Sequence, residues 1–170
     1  AVEVLLGGGN AIDATVAALF ALTVVEPMMV SMLGGGISHV RLPDGRHIII
    51  DNLSTAPAAA YADMYEPMAD GLPTANETRG RRNIVGGSAV ATPGALSGWM
   101  HLLERYGTRT LGTVVAPAIR LAEGGFTATP YLVDWVRDCA NDLARDPGLR
   151  ALFLTGGEPI KVGSPVVQVD

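Results

Sequence analysis

The stretch GGGNAIDATVAALFALTVVEPMMVSMLGGGI, from Gly7 to Ile37, sets the terms for the rest of the chain. Between Asn10 and Glu26 the single charge is Asp13. No polar face recurs at the helical period, which predicts a helix buried on all sides. Its apolar part, Ala14 to Val25, is shorter than the roughly 20 residues that cross a bilayer, so it belongs to a protein core and not to a membrane span. Asn10 is placed to cap the first turn, and Pro27, which has no N–H, closes the other end. Gly34, Gly35 and Gly36 let backbone pass where a side chain would not fit.

A chain of 170 residues is long enough for one ordinary domain. Its residues are 48% hydrophobic and only 17% charged, more apolar surface than such a chain buries by itself, which points to a partner chain. The net charge of -5 argues against nucleic acid as a ligand, because phosphate neutralisation needs a basic surface. The one basic cluster, Arg79-Gly80-Arg81-Arg82, reads as a solvated run. Cys139 is the single cysteine, so there is neither a disulfide framework nor a C-x-x-C motif. No repeat, low-complexity tract or composition break divides the chain, and residues 1–170 read as one segment.

Ala1 to Leu6 is ambiguous between helix and strand. Ile37–Leu42 and Arg46–Asp51, joined by Pro43-Asp44-Gly45, predict a β-hairpin with Ile48, Ile49 and Ile50 in a buried strand. The alanines from Ala56, with Tyr61 and Met64, predict a short helix ending before Pro67. Residues 67–87 read as a long polar loop. Thr92 is expected to cap a helix with Pro93 in its first position, presenting Leu96, Trp99, Leu102, Leu103 and Tyr106 and stopping at Gly107. Thr110 opens a second, interrupted or restarted at Pro117 and stopped at Gly124. Thr129-Pro130 opens a third that runs through Cys139 and Leu143, and a short helix follows from Pro147 to Leu154.

Glycine-rich and nucleophile patterns are weak. Gly7, Gly9 and then Ile12 miss the third small residue of a dinucleotide fingerprint. Gly36-Ile37-Ser38-His39-Val40 lacks the final glycine of a nucleophile elbow and leads into a strand instead of a helix. Gly94-Ala95-Leu96-Ser97-Gly98 has the wrong spacing and sets Ser97 on an amphipathic helix. His39, His47 and His101 show no metal-ligand spacing, so no metal and no cofactor is expected, although His39 and His47 are placed to face each other across the hairpin. Asp13, one turn into a buried helix, requires hydrogen-bond donors and is expected to bind backbone amides.

Five ordered blocks carry a resemblance: GGNAIDATVAALFALTVVEP with LGGGIS, DNLSTAPAAAYADMY (Asp51 to Tyr65), SAVATPGALSGW (Ser88 to Trp99), YGTRTLGTVVAPAIRLAEGGF (Tyr106 to Phe126) and the closing VGSPVVQVD. Together they resemble the large subunit of γ-glutamyltranspeptidases, members of the N-terminal nucleophile (Ntn) hydrolases. The resemblance implies an α+β fold, part of an αββα sandwich, to which this chain supplies mostly helices and one β-hairpin; it also settles Ala1–Leu6 as helix. It implies residues ahead of Ala1, so the absence of a secretory signal leaves the compartment open. In that family a precursor cleaves itself and exposes a threonine at the start of the small subunit. This threonine is the nucleophile, its own α-amine the base, and a γ-glutamyl amide is opened through an acyl-enzyme. No Thr-Thr-His or Thr-Ser-His block occurs here, so by the resemblance no catalytic residue lies in this chain, and the partners are a small subunit from the same precursor and a small-molecule amide or γ-glutamyl substrate.

The large subunit of the family supplies an arginine, within a D-x-R-E-x-A-P block, that clamps the substrate α-carboxylate. Aligned on Thr55-Ala56-Pro57, the block here reads Asp51-Asn52-Leu53-Ser54, with Leu53 where arginine is expected. Asn52, Leu53 and Ser54 are therefore the candidate substrate-binding residues. Losing a bidentate guanidinium removes a charge-assisted contact worth about 1.5–3 kcal/mol, unless Arg41 or Arg46 on the hairpin substitutes. The expectation is a divergent member, a cephalosporin-acylase-like or related amidohydrolase. A true γ-glutamyltransferase with a relocated clamp and a non-catalytic homologue are the alternatives.

Overall fold

A computed structural model describes residues 1–68 and 78–168. The order of elements is α1 (Val2–Leu6), α2 (Ala11–Val25), β1 (Gly36–Arg41), β2 (His47–Asn52), α3 (Ala95–Tyr106), α4 (Leu111–Gly124), β3 (Phe126–Thr127), α5 (Pro130–Asp138), α6 (Ala140–Leu143), α7 (Pro147–Phe153), β4 (Leu154–Thr155), β5 (Glu158–Pro159) and β6 (Pro165–Val166). No described helix is long and apolar enough to cross a membrane.

Helix α2 forms the centre. Asn10 caps it through a full capping box: its side chain accepts from the amides of Ile12 and Asp13, and the Asp13 carboxylate accepts from the Asn10 amide at 2.8 Å. Within this chain its burial is one-sided, contrary to the all-round burial its composition predicts. Asp13, Ala14, Val16, Ala17, Phe20 and Val24 are buried, while Ala11 and Thr15 are exposed. The buried stripe packs against α4, α3 and α1, with the Phe20 ring edge-on to Trp99 at 5.5 Å. This first core, Val4 to Ala118, also takes Val40 from the hairpin. A second core joins Leu132, Val133 and Val136 of α5 to Phe153, Leu154, Ile160 and Val166, and Phe126 touches both.

The hairpin forms with the register Val40↔Ile48 and Ser38↔Ile50, closed by the Leu42 amide on the Arg46 carbonyl and by Gly45 at φ 87°. Two further two-stranded pairs, β3 with β6 and β4 with β5, are absent from the sequence reading. Their strands have two residues each, too short for any alternation, and the Gly156-Gly157 turn at φ 64° and 91° is the one local signal.

Four helix expectations are corrected. No helix forms over 56–66; Ala60 and Met64 close isolated turns onto Pro57 and Tyr61. The chain there is tied at one end by a bridge between Thr55 and Thr92 and at the other by one between Pro67 and Thr78. Helix α3 starts at Ala95, not at Pro93, because both backbone groups of Thr92 are engaged in that bridge, at 3.0 and 2.9 Å. Leu96 is exposed, off the buried face of Ala95, Gly98, Trp99, Leu102 and Leu103. Helix α4 continues through Pro117 without restarting, so the Thr113 carbonyl loses the partner that a proline cannot supply. The third helix breaks at Cys139, whose ψ of 7° separates α5 from α6. Of the polar loop, 69–77 lie outside the described residues; Arg79–Arg81 and Gly87–Ala89 form single 3-10 turns. The basic cluster is partly paired, Arg79 with Glu66 at 2.9 Å and Arg81 with Asp142 at 2.8 Å.

Candidate functional site

Three stretches cross where β2 ends. The Gly34 carbonyl accepts the amides of Gly94 and Ala95, at 3.0 and 2.9 Å, and so satisfies two of the unpaired donors at the start of α3. Gly35 passes the backbone of Ser54 so closely that a Cβ there would sit 2.3 Å from the Ser54 nitrogen. A Cβ on Gly94 would meet the Asn52 and Leu53 carbonyl oxygens at 2.5 and 2.7 Å. The glycine triplet and Gly94 are therefore what bring β2, its exit and α3 into one wall.

The wall borders an open cleft of about 420 Å³, lined by Asp51, Leu53, Thr55, Thr92, Ser97 and His101 among others. Two of the three candidate residues, Asn52 and Leu53, line it, and Ser54 does not. Asn52 is 7% exposed and lies against Gly98; its amide nitrogen donates to the carbonyls of Gly36 and Ile50 at 3.1 and 3.2 Å, the orientation its neighbours require. Leu53 projects at 52% exposure, its amide held by the Asp51 carboxylate at 3.1 Å. Ser54 is exposed and covers Gly35. Asn52 is thus fixed within the wall, and Leu53 lines the cleft with half its surface exposed.

Neither hairpin arginine reaches this place. Arg46 is bound to Asp44 at 2.7 Å in the turn, and Arg41 pairs with His47 at the same end. From His47 to Leu53 the strand rises about 20 Å at roughly 3.3 Å per residue. Among the described residues no lysine or arginine lines the cleft, and its titratable groups are Asp51 and His101. Asp51 and Leu53 were legible in the sequence as a block, whereas Ser97 and His101 enter through the packing of α3 on β2 and have no sequence signal beyond their helical spacing.

The other polar centre is structural. Asp13 is fully buried and accepts from the amides of Thr108 and Arg109, at 2.8 and 3.0 Å, and from the Thr108 hydroxyl at 2.6 Å, in addition to the Asn10 amide. Burial alone raises its pKa, but the four hydrogen bonds outweigh it and hold the carboxyl below its ordinary value of 3.8. His39 Nε2 and His47 Nδ1 lie 2.8 Å apart across the hairpin, as their placement predicts. Among the described residues no group of three potential metal ligands occurs.

The whole chain, residues 1–170, matches the family model described as gamma-glutamyltranspeptidase. It is 60% identical, over 99% of its length, to the acylase ACY 1 proenzyme of Pseudomonas sp. (strain V22), and 38% identical to the glutathione hydrolase proenzyme of Bacillus subtilis (strain 168) over the same share. It spans only 30% and 28% of those relatives. Among solved structures, the gamma-glutamyltranspeptidase of Helicobacter pylori superposes with a TM-score of 0.85 at 29% identity, over 98% of this chain and 46% of that one.

Proposed function

Since the chain belongs to the γ-glutamyltranspeptidase family, we propose that residues 1–170 are a portion of the large subunit of an amide-cleaving acylase. Its nucleophile is a threonine at the start of a small subunit cut from the same precursor. The proenzyme names of both relatives, and the small fraction of their length that this chain spans, support a further segment. The threonine would attack the amide carbonyl while its own α-amine takes the hydroxyl proton, giving an acyl-enzyme that water or an amine then releases.

The observation that carries the acylase reading over glutathione hydrolysis is Leu53. It stands where the family pattern has its carboxylate-clamping arginine, it is half exposed, and it lines a cleft with no lysine or arginine on its walls among the described residues. An acyl group bearing a free α-carboxylate gains no charge-assisted bond there and meets the Asp51 carboxylate instead. An acyl group without that charge loses nothing and gains the leucine surface. The greater identity to an acylase than to a glutathione hydrolase agrees with this.

The test uses the processed enzyme made from the full precursor. Leu53→Arg is expected to raise kcat/KM for a γ-glutamyl anilide by roughly 10-fold or more, the equivalent of about 1.5 kcal/mol for a new guanidinium–carboxylate contact. Cleavage of an uncharged acyl anilide should fall or hold. A folded Leu53→Arg enzyme with no gain on the γ-glutamyl substrate overturns the assignment of this cleft. Identifying the first residue of the co-purifying chain tests the nucleophile: threonine supports the mechanism, and a residue with no hydroxyl or thiol ends it.

A further inference from the structure

Helix α3 turns a stripe of four residues toward β2. Gly94, Ser97, Gly98 and His101, at offsets of three, four and seven, share one face of the helix. A Cβ on Gly94 or Gly98 would strike Asn52 or the Leu53 carbonyl, so the glycines let the helix lie close against the strand and its exit. The side chains that remain on the stripe are Ser97 and His101, and both line the cleft of about 420 Å³. Leu53 lies at the Gly94 end, and from Gly94 to His101 the helix rises about 10 Å at roughly 1.5 Å per residue. His101 therefore stands about two helical turns from Leu53 along the cleft.

The polar side chains of the cleft are unspent. Several hydroxyls elsewhere are bonded within the chain: those of Thr15 and Thr23 to helix carbonyls, that of Ser88 to the Arg82 carbonyl, and that of Thr108 to Asp13. Among the described residues the hydroxyls of Thr55, Thr92 and Ser97 and the imidazole of His101 have no hydrogen-bond partner, although Thr55 and Thr92 are bridged through their backbones. Leu53 and Ile50 supply apolar surface in the same cleft. An apolar wall with a few polar groups set apart from it suits a ligand built the same way.

We propose that His101 is a specificity-determining residue: with Ser97 it holds the far end of the acyl group, and it selects acyl chains that end in a primary amide or another uncharged hydrogen-bonding group. The inference rests on the reading of this cleft as the acyl site. The stem of the chain lies along Leu53 and Ile50, and its end reaches the α3 stripe. A neutral imidazole has one donor and one acceptor nitrogen, and a hydroxyl has both functions, so together they match the carbonyl and the NH2 of an amide. Four residues apart on a helix, Ser97 and His101 have Cβ atoms about 5–6 Å from each other, within the span of one terminal amide bonded to both.

Charged ends are disfavoured on both signs. Among the described residues no lysine or arginine lines the cleft to meet a carboxylate, and Asp51 repels one. An ammonium finds only that same carboxylate, which already accepts the Leu53 amide at 3.1 Å. A plain aliphatic end gains nothing from Ser97 or His101 and takes water away from both, which is the loss that makes a hydrogen-bonding site reject an analogue lacking the polar group.

Two anilides tested on the processed enzyme from the full precursor decide this. One carries an acyl chain ended by a methyl group, the other a chain of the same length ended by a primary amide. The wild type is expected to favour the amide-ended substrate in kcat/KM. His101→Leu should cut that preference by roughly 10-fold, chiefly through KM, and Ser97→Ala by about 3-fold. His101→Gln keeps a donor and an acceptor and should retain most of the preference. A His101 that only supports the helix or binds solvent would leave the ratio between the two substrates unmoved whatever happens to the absolute rates, and that result overturns the inference, as does a wild type that favours the methyl-ended chain. Leu53→Arg separates the two levels. A gain on the γ-glutamyl anilide together with an unmoved His101→Leu ratio keeps the cleft as the acyl site and removes His101 from it. No gain with Leu53→Arg removes the acyl site, and the role of His101 goes with it.

Discussion

Asp13 shows how one buried carboxylate can tie distant parts of a fold together. It joins the start of α2 to the turn that links α3 to α4, receiving four hydrogen bonds from three residues. Gly107 is fixed by the same centre, since a Cβ there would lie 2.7 Å from Asp13 Oδ1 and 2.5 Å from the Leu103 carbonyl oxygen. Asp13→Asn keeps the shape but sets an NH2 group against the Asn10 amide, donor against donor. The expected cost is about 1–3 kcal/mol, read as a lower thermal midpoint of the assembled enzyme. The pH dependence has a definite sign. Because the folded pKa lies below 3.8, the stabilisation is complete above about pH 4 and is lost as pH falls through the folded value. The gap in stability between wild type and Asp13→Asn should therefore narrow on acidification below that range; a gap that widens would refute this account of the carboxylate.

At the scale of elements, the sequence was legible wherever a local rule decided the outcome. The Asn10 cap, the helix starts at Thr110 and Thr129 and the Pro43-Asp44-Gly45 turn all follow from residue types at fixed offsets, and all form. It misled where distant backbone competes. Thr92 carries every local mark of a helix cap, yet Thr55, far away in sequence, takes its backbone for a bridge, and the alanines of 56–66 are held open by bridges at both ends. The cleft divides in the same way. The block Asp51–Ser54 was visible as a departure from a family pattern, but the distance of Arg41 and Arg46 from Leu53, and the presence of His101, depend on the hairpin direction and on how α3 crosses β2. That crossing rests on Gly98. A Cβ there would fall 2.5 Å from both Cβ and Cγ of Asn52, a buried side chain already bonded to two carbonyls and unable to retreat. Gly98→Ala should cost about 1–3 kcal/mol by overpacking. It should also displace Leu53 and alter KM more than kcat in steady-state kinetics, whereas an unchanged thermal midpoint would show that the two elements slide apart freely.

At the scale of the whole molecule, the surface bears on the two-chain reading proposed above. Among the described residues Val2, Leu5 and Leu6 on α1, Met29, Met32 and Leu33 after α2, and Ile37 and Ile49 on the hairpin are all exposed, as are Tyr131, Trp135 and Leu149 beside the second core. Each large aliphatic side chain left in water forfeits about 1.5–3 kcal/mol relative to burial. The second core is small and is tied to the first by few bonds, among them the Gln168 side chain on the Val24 carbonyl at 3.2 Å and the Gln168 amide on the Ala122 carbonyl at 2.8 Å. A chain with one core open along a side and another loosely attached is expected to need its remaining polypeptide to fold uniquely. Expressed as residues 1–170 alone, it should self-associate in sedimentation velocity and give a broad, low-enthalpy unfolding transition. Within the full precursor the same residues should unfold in one cooperative step at higher temperature. A monomeric chain of residues 1–170 with a sharp transition would mean that the exposed apolar side is stable in water and that its composition demands no partner.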